Sequence, residues 1–267
     1  MRVAEVDGEV GVEGQLEVFG EFDALVPGQR QPQCVTAQWL SAAPDCVVQV
    51  RINAVGTPWY ADDVTALSDV GGFGIRLPKT ASDADIDAAV AAFGTQVALH
   101  PLIETARGVE NISEIARHAA TRSLCLGESD LSAELGTSGD IGLAWVRSRL
   151  VVAAHAAGLP APLMSVWPDV ADLAGLAESC AVGRALGFRG RAVVHPRQVA
   201  VVVEAFRPPA MELDRAADVL AALDQAAADG RGVATLPGGA MVDAAMRAGA
   251  ERLIALDEQI RRQPPGG

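Results

Sequence analysis

Short runs of apolar and β-branched residues recur along the chain, separated by Ala-rich stretches with helical spacing. This alternation is the strongest restriction on the fold, because neighbouring parallel strands need crossovers of a dozen or more residues and a helix supplies one. The candidate strands are Val47 to Asn53, Gly74 to Lys79, Val97 to Glu104, Ser123 to Glu128, Ala161 to Val166 and Arg191 to His195, with a weaker one at Leu16 to Phe22. Between them the spacing predicts helices at Ala61 to Leu67, Asp83 to Phe93, Asn111 to Ala120, Ile141 to Ala157 and Asp169 to Leu186. The pattern predicts an α/β fold built on a parallel sheet, with the TIM (β/α)8 barrel as the leading architecture.

Both ends depart from the repeat. The N-terminal stretch alternates apolar and acidic residues around Asp7-Gly8, a hairpin pattern and not a βα unit. Beyond His195 a helix leads to Pro208-Pro209, which mark a hinge, followed by a long helical stretch, the Gly-rich segment GVATLPGGAMVD and a last helix. The expected division is a barrel domain at 1–207, with an atypical extension at 1–18, and a C-terminal helical lid segment at 208–267.

Charge and composition narrow the function. The 34 acidic and 21 basic residues leave a net charge of −13, and no basic run offsets it, which argues against nucleic-acid and anionic-membrane partners. No stretch of about 18 apolar residues is present, and no signal-peptide pattern opens the chain, so a cytoplasmic protein is expected. Cys34, Cys46, Cys125 and Cys180 lack paired metal or redox spacing and read as structural thiols. Gly71-Gly72 and Gly238-Gly239 lack a nucleotide-loop arrangement.

In a barrel the C-terminal strand ends carry the active site. Arg51 with Asn53, Lys79, Glu104, Asp130 and His195 all fall near such ends. Glu104 and Asp130, at the ends of successive strands, would give a hard cation two oxygen ligands and leave positions for water and substrate, a set that suits Mg²⁺. Each acid taken alone is equally well explained as a helix cap or an ion-pair partner. Arg51 can fork onto a substrate carboxylate, or form a surface salt bridge. Lys79 is the only lysine against twenty arginines; it reads as an anion contact, as the partner of a neighbouring acid, or as a Schiff-base amine. His195, before Pro196, reads as a residue that orients a ligand or as a structural cap of the barrel end, the cap being favoured. Asp243 has the spacing of a helix cap, yet it lies in a segment that could close over a site and act as general base.

Several segments, VRINAVGTPWYADDV, IRLPKT, HPLIETARGVENISEIA, LGESDLSAELG and GFRGRAVVHPRQV, resemble in order those of the HpcH/HpaI aldolase and citrate lyase beta-subunit superfamily, over most of residues 20 to 207. The resemblance implies a Mg²⁺-dependent TIM-barrel enzyme in which Glu104 and Asp130 bind the metal and Arg51 grips an oxo-acid carboxylate. It further implies that Asp243, in AMVD, is the catalytic acid of a C-terminal lid reaching into a neighbouring subunit of a homo-oligomer, a trimer or hexamer. The implied activity is reversible aldol or Claisen cleavage of a CoA thioester such as malyl-CoA or citramalyl-CoA, with an oxo acid as the other partner. Alternatives are a CoA-independent pyruvate aldolase and a catalytically degenerate binding or regulatory subunit. Arg30, Arg76 and Arg191 are candidates for a CoA phosphate site.

Three departures stand out. The family's first strand has no counterpart, so seven strands match, and either the N-terminal hairpin supplies the eighth or residues are missing ahead of the given start. The acidic motif usual at the second strand reads Gly20, Glu21, Phe22, Asp23, and Met164 stands where an acid usually ends its strand.

Overall fold

A computed structural model describes residues 48–262 except residue 70, together with three short strands at 3–6, 9–12 and 18–21. Two compact units divide the chain, one covering 2–205 and the other essentially 206–267.

The larger unit is built on seven parallel strands hydrogen-bonded in chain order: β3 (Val18–Glu21), β4 (Val48–Arg51), β5 (Phe73–Leu77), β6 (Leu99–Ile103), β7 (Cys125–Leu126), β8 (Leu163–Met164) and β9 (Gly190–Arg191). Each strand lies beside its predecessor, the order in which strands follow one another around a barrel, and unlike the reversing order of doubly wound sheets. The weak candidate at Leu16 to Phe22 is thus a true member, pairing Val18 to Glu21 with Val48 to Arg51. The hairpin does not supply an eighth parallel strand. Strands β1 (Val3–Val6) and β2 (Glu9–Val12) pair antiparallel in a two-stranded sheet of their own, because their alternating pattern satisfies its ladder locally.

The helices of this unit are α1 (Tyr60–Leu67), α2 (Asp83–Phe93), α3 (Ala106–Glu110), α4 (Ile112–Arg117), α5 (Glu128–Leu135), α6 (Gly139–Ala156), α7 (Leu173–Leu186) and α8 (Pro196–Phe206). The helix expected over Asn111 to Ala120 is the shorter α4, which stops at Arg117 where His118 turns extended and its Nδ1 accepts from Ala120 N at 3.1 Å; a further short helix, α3, precedes it. Asn111 sits between the two helices, with its side-chain amide donating to the Ala81 carbonyl at 2.7 Å. The start expected at Asp169 moves to Leu173, because the Asp169 carboxylate caps a turn at Ala171 and Asp172, and Asp172 then accepts from Gly175 N at 2.9 Å as the N-cap. Strand β7 is shorter than Ser123 to Glu128, since the chain turns into α5 at Gly127.

Fully buried aliphatics hold sheet and helices together: Ile75, Leu77, Leu99 and Ile103 from the strands, and Ile86, Ile112, Ile115, Leu131 and Leu150 from the helices. Each contributes roughly 1.5–3 kcal/mol by leaving water. Cys125 and Cys180 are buried within this fabric and are not disulfide-bonded.

The smaller unit contains α9 (Ala210–Ala228), a hairpin of β10 (Val233–Thr235) and β11 (Met241–Asp243), and α10 (Ala244–Arg262). Ala216, Val219, Leu223, Leu236, Val242 and Ala250 form its core. Gly238 and Gly239, at φ 102° and 89°, make the turn that brings Leu236 N to the Ala240 carbonyl at 2.9 Å.

One buried polar residue beneath the strand ends is set by packing. His100 on β6 lies where a Cβ at Gly74 would come within 2.5 Å of its Nε2, and its Nδ1 pairs with Ser123 Oγ at 2.7 Å. Burial, aided by the positive charges of Arg76 and Arg122, lowers its pKa from 6.5 to about 4. The folded state therefore holds this ring neutral while the unfolded chain takes up a proton as pH falls below 6.5. Stability present above pH 6.5 is lost down to pH 4 and changes no further below it, an effect of about 3 kcal/mol. Urea unfolding at pH 7 and pH 4.5 should show a larger acid loss for the native chain than for His100→Gln; equal losses would refute the assignment.

Candidate functional site

The C-terminal ends of β4 to β7 bring four of the five predicted site residues into one neighbourhood, and the local structure explains why. Glu104 follows β6 directly, with its side chain only 4% exposed. It fits because residue 127 is glycine: a Cβ there would lie 2.5 Å from Glu104 Oε2. After Glu104, Thr105 caps α3 by accepting from Gly108 N at 3.1 Å, which turns the chain away and leaves the carboxylate facing the strand ends.

Lys79 lies beyond the end of β5 and not within it. Its φ of 53° makes it the sole non-glycine in the left-handed region among the described residues, a conformation that costs about 1–2 kcal/mol. The turn is clamped on both sides. Thr80 Oγ1 donates to the Leu77 carbonyl at 2.8 Å, Asn111 holds the Ala81 carbonyl, and Gly108 permits α3 to approach Thr80 O so closely that a Cβ would lie 2.5 Å away. The result is that both the backbone and the side chain of Lys79 serve the same acid. Its N–H donates to Glu104 Oε1 at 2.9 Å, and its Nζ stands 3.7 Å from that oxygen and 2.5 Å from Asp130 Oδ1.

Asp130 occupies the first turn of α5, where a negative charge is favoured by the helix dipole, and its side chain is 55% exposed. The first turn of α5 is anchored from below. Glu128 N donates to Ser165 Oγ at 3.3 Å, Ser165 in turn donates to the Leu126 carbonyl, and the Glu128 carboxylate takes a two-pronged contact from Arg147 at 2.8 and 2.7 Å. Arg147 also reaches Asp140 at 2.8 Å. Sequence reasoning missed this arginine. The available signal was its place on the apolar face of α6 beside Leu143, Val146 and Leu150, all buried.

Burial raises the Glu104 pKa, opposed by the Lys79 N–H bond and by the positive charges of Lys79 and Arg51. Arg51, the last residue of β4 and half-buried, is thus close enough to Glu104 to act on it. The loop after Arg51 is pinned by the buried Asp63, whose Oδ2 accepts from Asn53 N at 2.7 Å and Asn53 Nδ2 at 2.8 Å. The Lys79 amine is fully committed to carboxylates, and ion pairing lifts its pKa despite partial burial, the reverse of what a Schiff-base amine needs.

The remaining candidates fall elsewhere. His195 Nδ1 accepts from Arg197 N at 3.2 Å, the capping role expected of it. Asp243 belongs to the smaller unit, where its Oδ1 accepts from Ala245 N at 2.9 Å at the start of α10. Arg76 turns to Gln49 Oε1 at 3.1 Å, and Arg191 is buried, so neither presents itself as a surface phosphate contact. Arg30, Phe22 and Asp23 lie outside the described residues.

Arg191 is the anomaly of the larger unit. Only 4% exposed, it donates to the Ser165 carbonyl at 2.8 Å, Ser179 Oγ at 2.7 Å and Met164 Sδ at 3.2 Å, and its guanidinium lies 5.7 Å from the Trp167 ring centre. Its Nε has no partner and no acid pairs with it among the described residues.

Comparison with known proteins places these features. The HpcH/HpaI aldolase/citrate lyase family matches residues 33–196. A (3S)-malyl-CoA thioesterase of Cereibacter sphaeroides is 33% identical over 71% of this chain and 67% of its own length. A citrate lyase subunit beta-like protein of Deinococcus radiodurans is 31% identical, covering 81% of this chain and 77% of that protein. The CitE protein of Mycobacterium tuberculosis, solved with magnesium, acetoacetate and coenzyme A, is 31% identical, with a TM-score of 0.74 over 91% of this chain and 90% of its own.

The unpaired charge of Arg191 yields a direct test. Met164→Glu, close to isosteric, would set a carboxylate against the guanidinium. A lone buried charge is costly while a paired one is tolerated, so the substitution should raise stability by about 1–3 kcal/mol and lift the melting temperature. A lowered melting temperature would mean that the charge is already compensated.

Proposed function

The chain belongs to the HpcH/HpaI aldolase/citrate lyase family, and from that premise we propose that it is a magnesium-dependent carbon–carbon lyase acting on a 3-hydroxyacyl-CoA of the malyl-CoA or citramalyl-CoA type. The observation that carries the reading is the convergence of Glu104 and Asp130 on a single cation, the Lys79 ammonium. Two carboxylates aimed at one point are the hard-oxygen donor set that Mg²⁺ takes with several waters retained. No group of three or more His, Cys, Asp or Glu side chains gathers among the described residues, which fits a metal completed by water and by an oxo acid and does not fit an all-protein cage. The CitE protein of M. tuberculosis was solved with magnesium and oxaloacetate at 31% identity.

Magnesium held by Glu104 and Asp130 would supply Lewis acidity to the oxygen of the oxo acid. The chain's own residues supply the rest. Arg51 would pair with the carboxylate of the oxo acid and fix its plane, and Lys79 would add a second positive charge beside it. Asp243 would handle the proton. In cleavage it would take the proton of the 3-hydroxyl as the bond between C2 and C3 breaks and its electron pair passes to the thioester, then return that proton to C2 of the enolate; in condensation it would take the proton from the thioester's α-carbon and deliver it to the oxo oxygen as the new bond forms. The proposal extends to a closed (β/α)8 barrel over 1–207, with 208–267 as a helical lid. The lid would be contributed by a neighbouring copy in a cytoplasmic homo-oligomer, a trimer or hexamer. The thioesterase relatives favour a second reading, hydrolysis of the same class of ester.

Titration of Mg²⁺ into the purified protein, with and without oxaloacetate or glyoxylate, tests the metal site. Wild type should bind both cooperatively, and Glu104→Ala and Asp130→Ala should lose binding by at least about tenfold. A wild type that binds neither would leave a non-catalytic binding protein as the reading. Incubation with malyl-CoA then separates the chemistries, since a lyase releases acetyl-CoA and glyoxylate and a thioesterase releases malate and free CoA. Asp243→Ala should cut turnover by about 10²–10⁴-fold with Mg²⁺ binding intact; unchanged turnover of malyl-CoA would mean that another group handles the proton, and turnover of a free oxo-acid aldol with none of malyl-CoA would favour a CoA-independent aldolase that needs no lid acid.

A further inference from the structure

We propose that the Lys79 ammonium is a tethered counterion that holds the metal site ready and that a divalent cation must displace. This rests on the reading of Glu104 and Asp130 as magnesium ligands. The geometry is specific: Nζ lies 2.5 Å from Asp130 Oδ1 and 3.7 Å from Glu104 Oε1, so the ammonium occupies the ground between the two oxygens. A divalent cation binds such oxygens at about 2.1 Å, and two cations drawn to the same oxygen pair repel each other and compete for the same lone pairs. Both cannot stay.

The backbone makes the tether deliberate. Lys79 adopts a left-handed conformation that ordinary residues avoid, and three contacts hold its turn: Thr80 to Leu77, Asn111 to Ala81, and Lys79 N to Glu104 itself. With the N–H fixed on Glu104, the carboxylate keeps its place when the flexible side chain leaves, because only Nζ has to move. Without a positive charge between them the two acids would repel, and Asp130, more than half exposed, would turn to solvent. The ammonium released by the metal has Glu134 among its charged neighbours and remains at the strand ends, where a substrate carboxylate would receive it. Metal and oxo-acid binding are then coupled through one side chain.

Mg²⁺ titration calorimetry and thermal melts of wild type, Lys79→Met and Lys79→Gly test this; the glycine variant removes the same charge without backbone strain and guards against a methionine variant that fails to fold. The expected result is Mg²⁺ binding up to about fivefold tighter in the variants, with a lower melting temperature in metal-free buffer for Lys79→Met, a larger rise on adding Mg²⁺ in both, and loss of the coupling to glyoxylate. Variants that bind Mg²⁺ no more tightly than a binding-competent wild type overturn the counterion role and leave the metal site standing. If neither wild type nor variants bind Mg²⁺, both fall together. Binding by the variants alone supports both.

Discussion

A carboxylate almost wholly removed from water is the constraint from which the rest of the site follows. Ionised, Glu104 would pay several kcal/mol for burial unless donors replace its hydration. The chain meets that demand with the Lys79 backbone N–H, the Lys79 ammonium and the nearby positive charge of Arg51. Each has a structural consequence. The amide bond obliges the residue after β5 to turn, the turn obliges Lys79 into the left-handed region, and that turn survives because α3 presses on it through Gly108 and Asn111. Gly127 then becomes obligatory for space, and with it the early end of β7 and the start of α5 that sets Asp130 in place.

The opposite side of the site is secured by a different device. Arg147, buried in α6, holds Glu128 and Asp140 together, and the contact is strong enough to raise its own pKa. Glu128 is two residues before Asp130, so the ion pair fixes the helix turn that carries the exposed acid. Ser165 ties that turn to β8, and Arg191 ties Ser165 to β9. The exposed member of the acid pair is therefore positioned by buried groups that never touch it. Rigid support beneath a mobile carboxylate suits a site that must exchange one cation for another.

Sequence pattern revealed the parallel sheet, the strand order and the strand-end location of Glu104, Asp130, Arg51 and Lys79, because period and residue type are local signals. It failed where a side-chain contact sets the local conformation. Helical spacing runs from Asn111 to Ala120, yet the helix stops at Arg117 because His118 turns extended and takes the Ala120 N–H on its ring; apolar spacing carries β5 toward Lys79, yet Glu104 bends that residue out of the strand. Arg147 and Arg191 were illegible for another reason. An arginine in an apolar stripe announces that it is buried, but the partner that neutralises it is distant in sequence, 19 residues away for Glu128, while Arg191 has no acid against it among the described residues.

That last contrast bears on whether the family's chemistry persists here. A chain drifting out of catalysis under no constraint would be expected to lose buried polar groups wherever they are costly. This one has lost its acid at Met164 and has kept Arg191 buried, while the costlier arrangement at β5 to β7 is whole, strained backbone included. Backbone strain persists only where the surroundings enforce it, and here one of the enforcing contacts is made to Glu104 itself.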